Sequence, residues 1–309
     1  MVMPSRGNPE TEPMLSAIIA VTLTVPDLPT AEEAYSRWLG YRVVDRGLVS
    51  HALAAGWGAP RAEGRRYALL QPSSGEPVYL RIVQSPPTPG FEVMKTHGWN
   101  ANEILVEDPD ELARQLAGSP FRIVGAPRPL STSPAVRAMQ VIGPAGELNY
   151  LTRIPADGSS VFIKTPAKSF VDRTFIVVLG GPSMAALQAF YRDTLGLKVT
   201  EAVAASINVL QDAYGMPATA QFPLAIVAIS DGFLVELDEY PAAAKPRPRR
   251  EGDLPPGMAM VTFAGRGLDR PGLKWRVPPA PRAEAPYAGR RAGVLEGPAG
   301  EWLEIVAAD

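Results

Sequence analysis

The chain repeats itself, and this bounds its fold more tightly than any other feature. Gly143-Pro144-Ala145-Gly146-Glu147 recurs as Gly297-Pro298-Ala299-Gly300-Glu301 at an offset of 154, and Leu39-Gly40 recurs as Leu195-Gly196 at an offset of 156. Self-similarity at a fixed period marks a repeated supersecondary unit. The first unit reads as strand Leu15–Val25, a helix over Thr30–Leu39 stopped by Gly40, and strands at Tyr41–Val44, Arg66–Gln71 and Val78–Val83. A second reads as strand Ala101–Val106, helix Pro109–Leu116 capped by Asp108, and strands near Ile123, Met139–Ile142 and Leu148–Ile154. Thr174–Leu179, the helix Met184–Leu195 and Gly196–Val199 then echo the opening. The expected fold is α+β: four βαβββ modules paired in chain order into two cupped, mostly antiparallel sheet domains. The first domain covers 15–154 and the second 171–309, with a linker at 155–170 and a disordered tail over 1–14. Ala242–Pro256, with its basic run, reads as a solvated linker between modules three and four.

Composition removes several function classes. No cysteine is present, which excludes disulfides, thiolate nucleophiles and zinc–cysteine sites. His51 and His97 are the only histidines, so a three-histidine metal site cannot form. A formal net charge of -2 gives no electrostatic case for nucleic acid or an anionic membrane. No segment reads as a signal peptide or a membrane span, and a cytoplasmic protein is the default expectation.

Further text carries a family likeness. The helix Ala189-Phe190-Tyr191-Arg192-Asp193-Thr194-Leu195-Gly196, the strand end Val21-Thr22-Leu23-Thr24-Val25-Pro26-Asp27-Leu28, Val106-Glu107-Asp108-Pro109-Asp110 and the two Gly-Pro-Ala-Gly-Glu turns resemble the vicinal oxygen chelate superfamily. That superfamily includes glyoxalase I, bleomycin-resistance proteins, fosfomycin-resistance enzymes and extradiol dioxygenases. The resemblance implies a concave face carrying the site, with metal ligands at fixed strand positions. Those positions hold Ala20, Arg81, Ala101 and Tyr150 in the first half, and Ile176, Glu236, Met260 and Glu304 in the second. The imidazoles are missing, so the expectation is a form that works without a transition metal or other cofactor. Weak binding of Mg or Mn by Glu236 and Glu304 stays open.

Strand alternation places Thr22, Tyr79, Arg81, Glu103 and Tyr150 inside the N-terminal cup. Arg81 and Glu103 are expected to face each other or a substrate, with Glu103 as general base and Arg81 binding an oxyanion. The alternative is an ion pair that only fixes the strands. His97 joins Glu103, Arg81 and Tyr150 as a catalytic candidate, and Trp99, Asn100 and Gln140 are expected to line the substrate site. His51 and Trp57 lie in the insertion Leu48–Pro60, which reads either as a lid over a ligand or as a packing patch. The C-terminal cup is expected to be the inert one, supporting the fold or a homodimer interface. Two functions fit. One is a metal-independent glyoxalase-like enzyme, of isomerase, cyclase or lyase type, acting on an oxygenated aromatic or polyketide-like small molecule. The other is a non-catalytic protein that sequesters an apolar small molecule, as bleomycin-resistance proteins do.

Overall fold

The computed structural model describes residues 13–130, 134–155, 163, 165–230 and 232–308. Residues 1–12 of the expected tail, and 156–162 and 164 of the expected linker over 155–170, lie outside these residues. The first module comprises β1 (Leu15–Val25), α1 (Leu28–Leu39), β2 (Arg42–Leu48), α2 (His51–Trp57), β3 (Arg66–Gln71) and β4 (Tyr79–Gln84). The second is β5 (Gly98–Val106), α3 (Pro109–Gln115), β6 (Arg122–Pro129), β7 (Arg137–Ile142) and β8 (Leu148–Arg153). The third runs β9 (Val171–Gly181), α4 (Met184–Ala189), β10 (Lys198–Val199), β11 (Val203–Ala205), α5 (Asn208–Tyr214), β12 (Phe222–Ser230) and β13 (Phe233–Glu239). The fourth is β14 (Gly257–Gly265), β15 (Trp275–Pro281), β16 (Arg291–Glu296) and β17 (Trp302–Ala307). It has turns over 266–274 where the other modules have a helix.

Local chemistry sets the helix starts. Asp27, Ser50, Asp108 and Ser183 each cap a helix by accepting a backbone N–H in its first turn. The helix expected through Leu195 changes character at Ala189, and Phe190–Thr194 continues it as a π turn. No helix among the described residues is long and apolar enough to cross a membrane.

Two sheets form, and their composition corrects the expected pairing. One has the order β15-β16-β17-β14-β1-β4-β3-β2, and the other β10-β12-β13-β9-β5-β8-β7-β6. Module one therefore pairs with module four, and module two with module three. We call these the terminal cup and the central cup. Within each module the first and last strands run parallel, as in β1–β4 and β5–β8. Within each cup the two modules join through an antiparallel seam, β1 on β14 in the terminal cup and β5 on β9 in the central cup. Two connectors, 85–97 and 240–256, carry the chain between sheets and touch each other at Thr96 and Lys245. The second of these is no solvated linker. Arg247 donates to the carbonyls of Trp99 (2.6 Å) and Met258 (2.9 Å), and Asp253 pairs with Arg65 at 2.6 Å.

The repeated turns have a specific job. Glu147 folds back to accept the Ala145 N–H at 2.9 Å, and Glu301 accepts that of Ala299 at 2.8 Å. A Cβ on Gly143 or Gly297 would overlap the returning carboxylate, so the first glycine of each repeat makes room for the last residue. Tyr35 of α1 donates to Glu147 at 2.9 Å, and Tyr191 of the third module reaches Glu301 at 3.5 Å. Each turn is thus pinned to the helical segment of the preceding module. The largest apolar core lies behind both sheets, where Tyr35, Tyr191, Trp99 and Phe263 are buried.

Candidate functional site

The two cups have opposite interiors. In the terminal cup, directly paired residues place Ala20, Thr22, Arg81, Thr262 and Glu304 on one face. Glu304 is fully buried and accepts from Thr262 (2.6 Å) and from Tyr287 (2.9 and 3.0 Å). Arg282 makes a close ion pair with the same carboxylate, and Arg81 approaches it to 3.6 Å. Trp57 donates its indole N–H to Tyr287 at 2.9 Å, and the Arg81 guanidinium lies 5.0 Å from the Trp57 ring centroid. The helix α2 is locked down by Ser50, which donates to Glu284 at 2.6 Å. The cup is therefore filled by the chain's own side chains.

This placement corrects several expectations. Arg81 does not face Glu103; its carboxylate partner is Glu304, from the far end of the chain. Thr22 and Tyr79 share the terminal cup with Arg81, and Thr22 accepts a 3.4 Å contact from it. Of the two readings of Leu48–Pro60, the structure takes the packing one, because Trp57 is fully buried as a plug. His51 is exposed and pairs with Glu63 at 2.9 Å, away from either interior.

The central cup has a polar band between two apolar ends. Glu103 pairs across β5 with Tyr150 on β8 and Ile176 on β9, and Gln140 on β7 opposes Tyr150. From the other side, β13 brings Glu236 and Asp238 to the same face, opposite Ile226 and Leu224 of β12. One end of the band is closed by α5, whose Leu210 packs with Ala101, Leu148 and Val178. Leu105, Phe175 and Leu234 close the other end. Tyr150, Gln140 and Glu236 are only half-buried, so solvent reaches the band. Gly180 keeps the floor open to Tyr240, whose ring lies where a Cβ would stand.

Electrostatics in this band are unusual. Glu103 accepts from the Thr152 hydroxyl at 2.5 Å. Burial pushes its carboxyl up to about 7, the Thr152 bond opposing the shift. Glu236 is raised by burial and then by the neighbouring Asp238 and Glu103 carboxyls, and Asp238 is raised by burial. Burial and these same carboxylates also raise the Tyr150 phenol, which stays an O–H donor. Asp238 is fully buried with neither oxygen hydrogen-bonded. The Gln140 carbonyl oxygen and the Tyr214 hydroxyl are likewise buried without a partner.

Of the catalytic candidates, then, Glu103 and Tyr150 come together and Arg81 is elsewhere. His97 is half-buried on the connector, its pKa lowered by burial and by the Arg247 charge. Trp99 belongs to the core and donates to the Trp302 carbonyl at 2.9 Å. Asn100 ties its own loop together, donating to the Thr96 and Gly98 carbonyls at 2.8 Å each. Asp238, Tyr214 and Tyr240 were not anticipated. The alternation Glu236, Asp238, Tyr240 along one strand was the available signal.

The chain is similar to solved structures of known description. Glyoxalase I from Zea mays matches with a TM-score of 0.60 at 14% identity, covering 94% of this chain and 92% of that one. A putative dioxygenase from Bacillus subtilis subsp. subtilis str. 168 matches with a TM-score of 0.63 at 11% identity, covering 96% and 86%. No protein-family model matches the chain. No curated protein matches it by sequence. At these identities the likeness shows the fold alone, and the fold is glyoxalase-like.

That fold implies a metal in the cup, and the side chains here do not fit one. The ligand positions of the terminal cup hold Ala20, Arg81, Met260 and Glu304, and Glu304 is already bonded to Thr262, Tyr287 and Arg282. Those of the central cup hold Ala101, Tyr150, Ile176 and Glu236. Among the described residues no three His, Asp or Glu side chains are placed to hold a metal together. One carboxylate per set, with no imidazole, is a poor donor set for divalent iron or zinc.

Proposed function

We propose that the protein is a glyoxalase-like enzyme that works without a metal, and that its central cup does acid/base chemistry on an oxygenated aromatic or polyketide-like small molecule. The observation behind this is Glu103, a buried carboxyl near 7 at the middle of a solvent-reached polar band. A base titrating near the working pH combines proton affinity with enough of the ionised form. In this reading Glu103 takes a proton from carbon beside a carbonyl. Tyr150, opposite it across the strands, donates a hydrogen bond to the enolate oxygen that develops. Glu103 then returns the proton at a second carbon, which is an isomerisation. If a β-substituent leaves instead, the same step is a lyase reaction.

The two apolar ends of the band support the second reading, sequestration of an apolar ligand. One experiment separates them. Candidate carbonyl compounds are incubated in D2O and followed by proton NMR for exchange or conversion. The enzyme reading expects wild type to exchange the proton, and Glu103→Gln to lose about 10²–10⁴-fold in rate with ligand affinity retained. A wild type that binds compounds yet exchanges none would favour sequestration.

A further inference from the structure

The mechanism above uses Glu103 and Tyr150 and leaves Glu236 and Asp238 without a task. Both project from β13 into the same cup, and Glu103 makes a third carboxyl there. In the terminal cup a single buried carboxylate draws two guanidinium groups, Arg81 and Arg282. No Lys or Arg pairs with Glu236 or Asp238 among the described ion pairs. Arg247 lies toward Tyr240, with its Nη atoms bonded to the Trp99, Pro256 and Met258 carbonyls. Asp238 is fully buried with both oxygens unpartnered, which is rare for a carboxyl unless a partner arrives from outside. Glu236, one step along the strand, is half-buried and faces Ile226. The arrangement is an acidic wall between the two apolar ends of the cup, with no cation paired to it among the described ion pairs.

We propose that the molecule taken by the central cup carries an ammonium nitrogen on an apolar body, the nitrogen placed against Glu236 with Asp238 beneath it. This rests on the central cup being the working site and narrows the substrate class proposed for it. A charge-assisted N–H···O bond would give the acidic wall the partner it lacks. Ile226, Leu224 and the α5 face would take the apolar remainder, leaving Glu103 and Tyr150 to meet the reacting end. The other ionisable groups facing the wall are Glu103 on β5, Tyr150 on β8, Tyr214 on α5 and Tyr240 just after β13. Of these only Glu103 changes charge near neutrality.

Three isosteric probes test the idea by calorimetry at pH 7.5: 3-phenylpropylamine, 3-phenylpropanol and 3-phenylpropanoate. The amine is expected to bind at least about tenfold more tightly than the alcohol, and the carboxylate more weakly than either. In Glu236→Gln the amine should fall to the affinity of the alcohol, with folding checked by thermal melting. Wild type gives a second readout needing no variant. Measured in two buffers of different ionisation enthalpy, amine binding should release protons, because the cation ionises carboxyls that are protonated in the empty cup. Alcohol binding as tight as amine binding, no proton release, or no binding of any probe would overturn the proposal. If the alcohol binds equally well and Tyr150→Phe weakens it, the cup survives as the site and only the ammonium is lost. The deuterium-exchange experiment judges the catalytic reading separately.

Discussion

Thr152 and Glu103 form a pair in which one hydroxyl tunes one carboxyl. The 2.5 Å bond from Thr152 favours the ionised form, against a larger effect of burial that favours the neutral one. Replacing Thr152 by Val removes the opposing influence, so the carboxyl should titrate at higher pH. For a reaction that needs ionised Glu103, activity rises with pH through about 7 in wild type. The Thr152→Val profile is expected to be displaced to higher pH with its plateau retained. An unmoved profile would mean Glu103 is not the titrating base. Glu304 makes the contrasting case, since it is saturated by Thr262, Tyr287 and Arg282. Glu304→Ala leaves two buried guanidinium groups unpaired and should cost about 3–5 kcal/mol of stability by chemical denaturation. Probe affinity of the folded fraction should be unchanged.

At the level of elements, the Gly-Pro-Ala-Gly-Glu turns act as sockets for a tyrosine. Tyr35 donates to Glu147 at 2.9 Å and accepts from Asn149 at 3.0 Å, whereas Tyr191 has the longer 3.5 Å contact with Glu301. Tyr35→Phe should therefore cost about 1–3 kcal/mol, and Tyr191→Phe less. Burial raises the two glutamates to about 7 and about 8. A carboxyl raised on folding gives stability that is complete below its unfolded value near 4.3, and that is lost as pH rises through the folded value. Thermal midpoints should fall between pH 6 and pH 9, and Glu301→Gln, which cannot ionise, should flatten that fall. A wild type equally stable at both ends would contradict this assignment. The repeat itself was visible in the sequence, as were the cap at Asp108 and the strand Arg66–Gln71. That the repeated glutamate serves a tyrosine of the preceding module was not, because the partners lie 112 and 110 positions apart.

On the scale of the whole molecule, the order of pairing escaped the sequence for a physical reason. Four modules of like pattern present equivalent first-strand edges, so periodicity counts them without saying which edges meet. The connectors held the answer. Segments 85–97 and 240–256 carry the chain from one sheet to the other, whereas β8 leads into β9 within the central cup. Glu103 and Tyr150 could be placed on one inward face because strand alternation is local. Their meeting with Glu236 depends on module pairing, and so does the separation of Arg81 from Glu103. A fragment ending near 154 would hold β1–β8 with each seam strand missing its partner. Expressed alone, it should fail to give a cooperative monomeric melt, and it should fold when mixed with the remaining half. A fragment 15–154 that melts cooperatively as a monomer would instead support pairing in chain order.

The claim that joins these scales is that the central cup works and the terminal cup is closed by its own side chains. A crystal structure of the protein with a ligand found in the NMR screen tests it most directly. Ligand density is expected in the central cup, within hydrogen-bonding distance of Glu103 and Tyr150, with the Arg81–Glu304–Arg282 cluster undisturbed. Density in the terminal cup, with Trp57 displaced and the ligand bonded to Arg81, would contradict it.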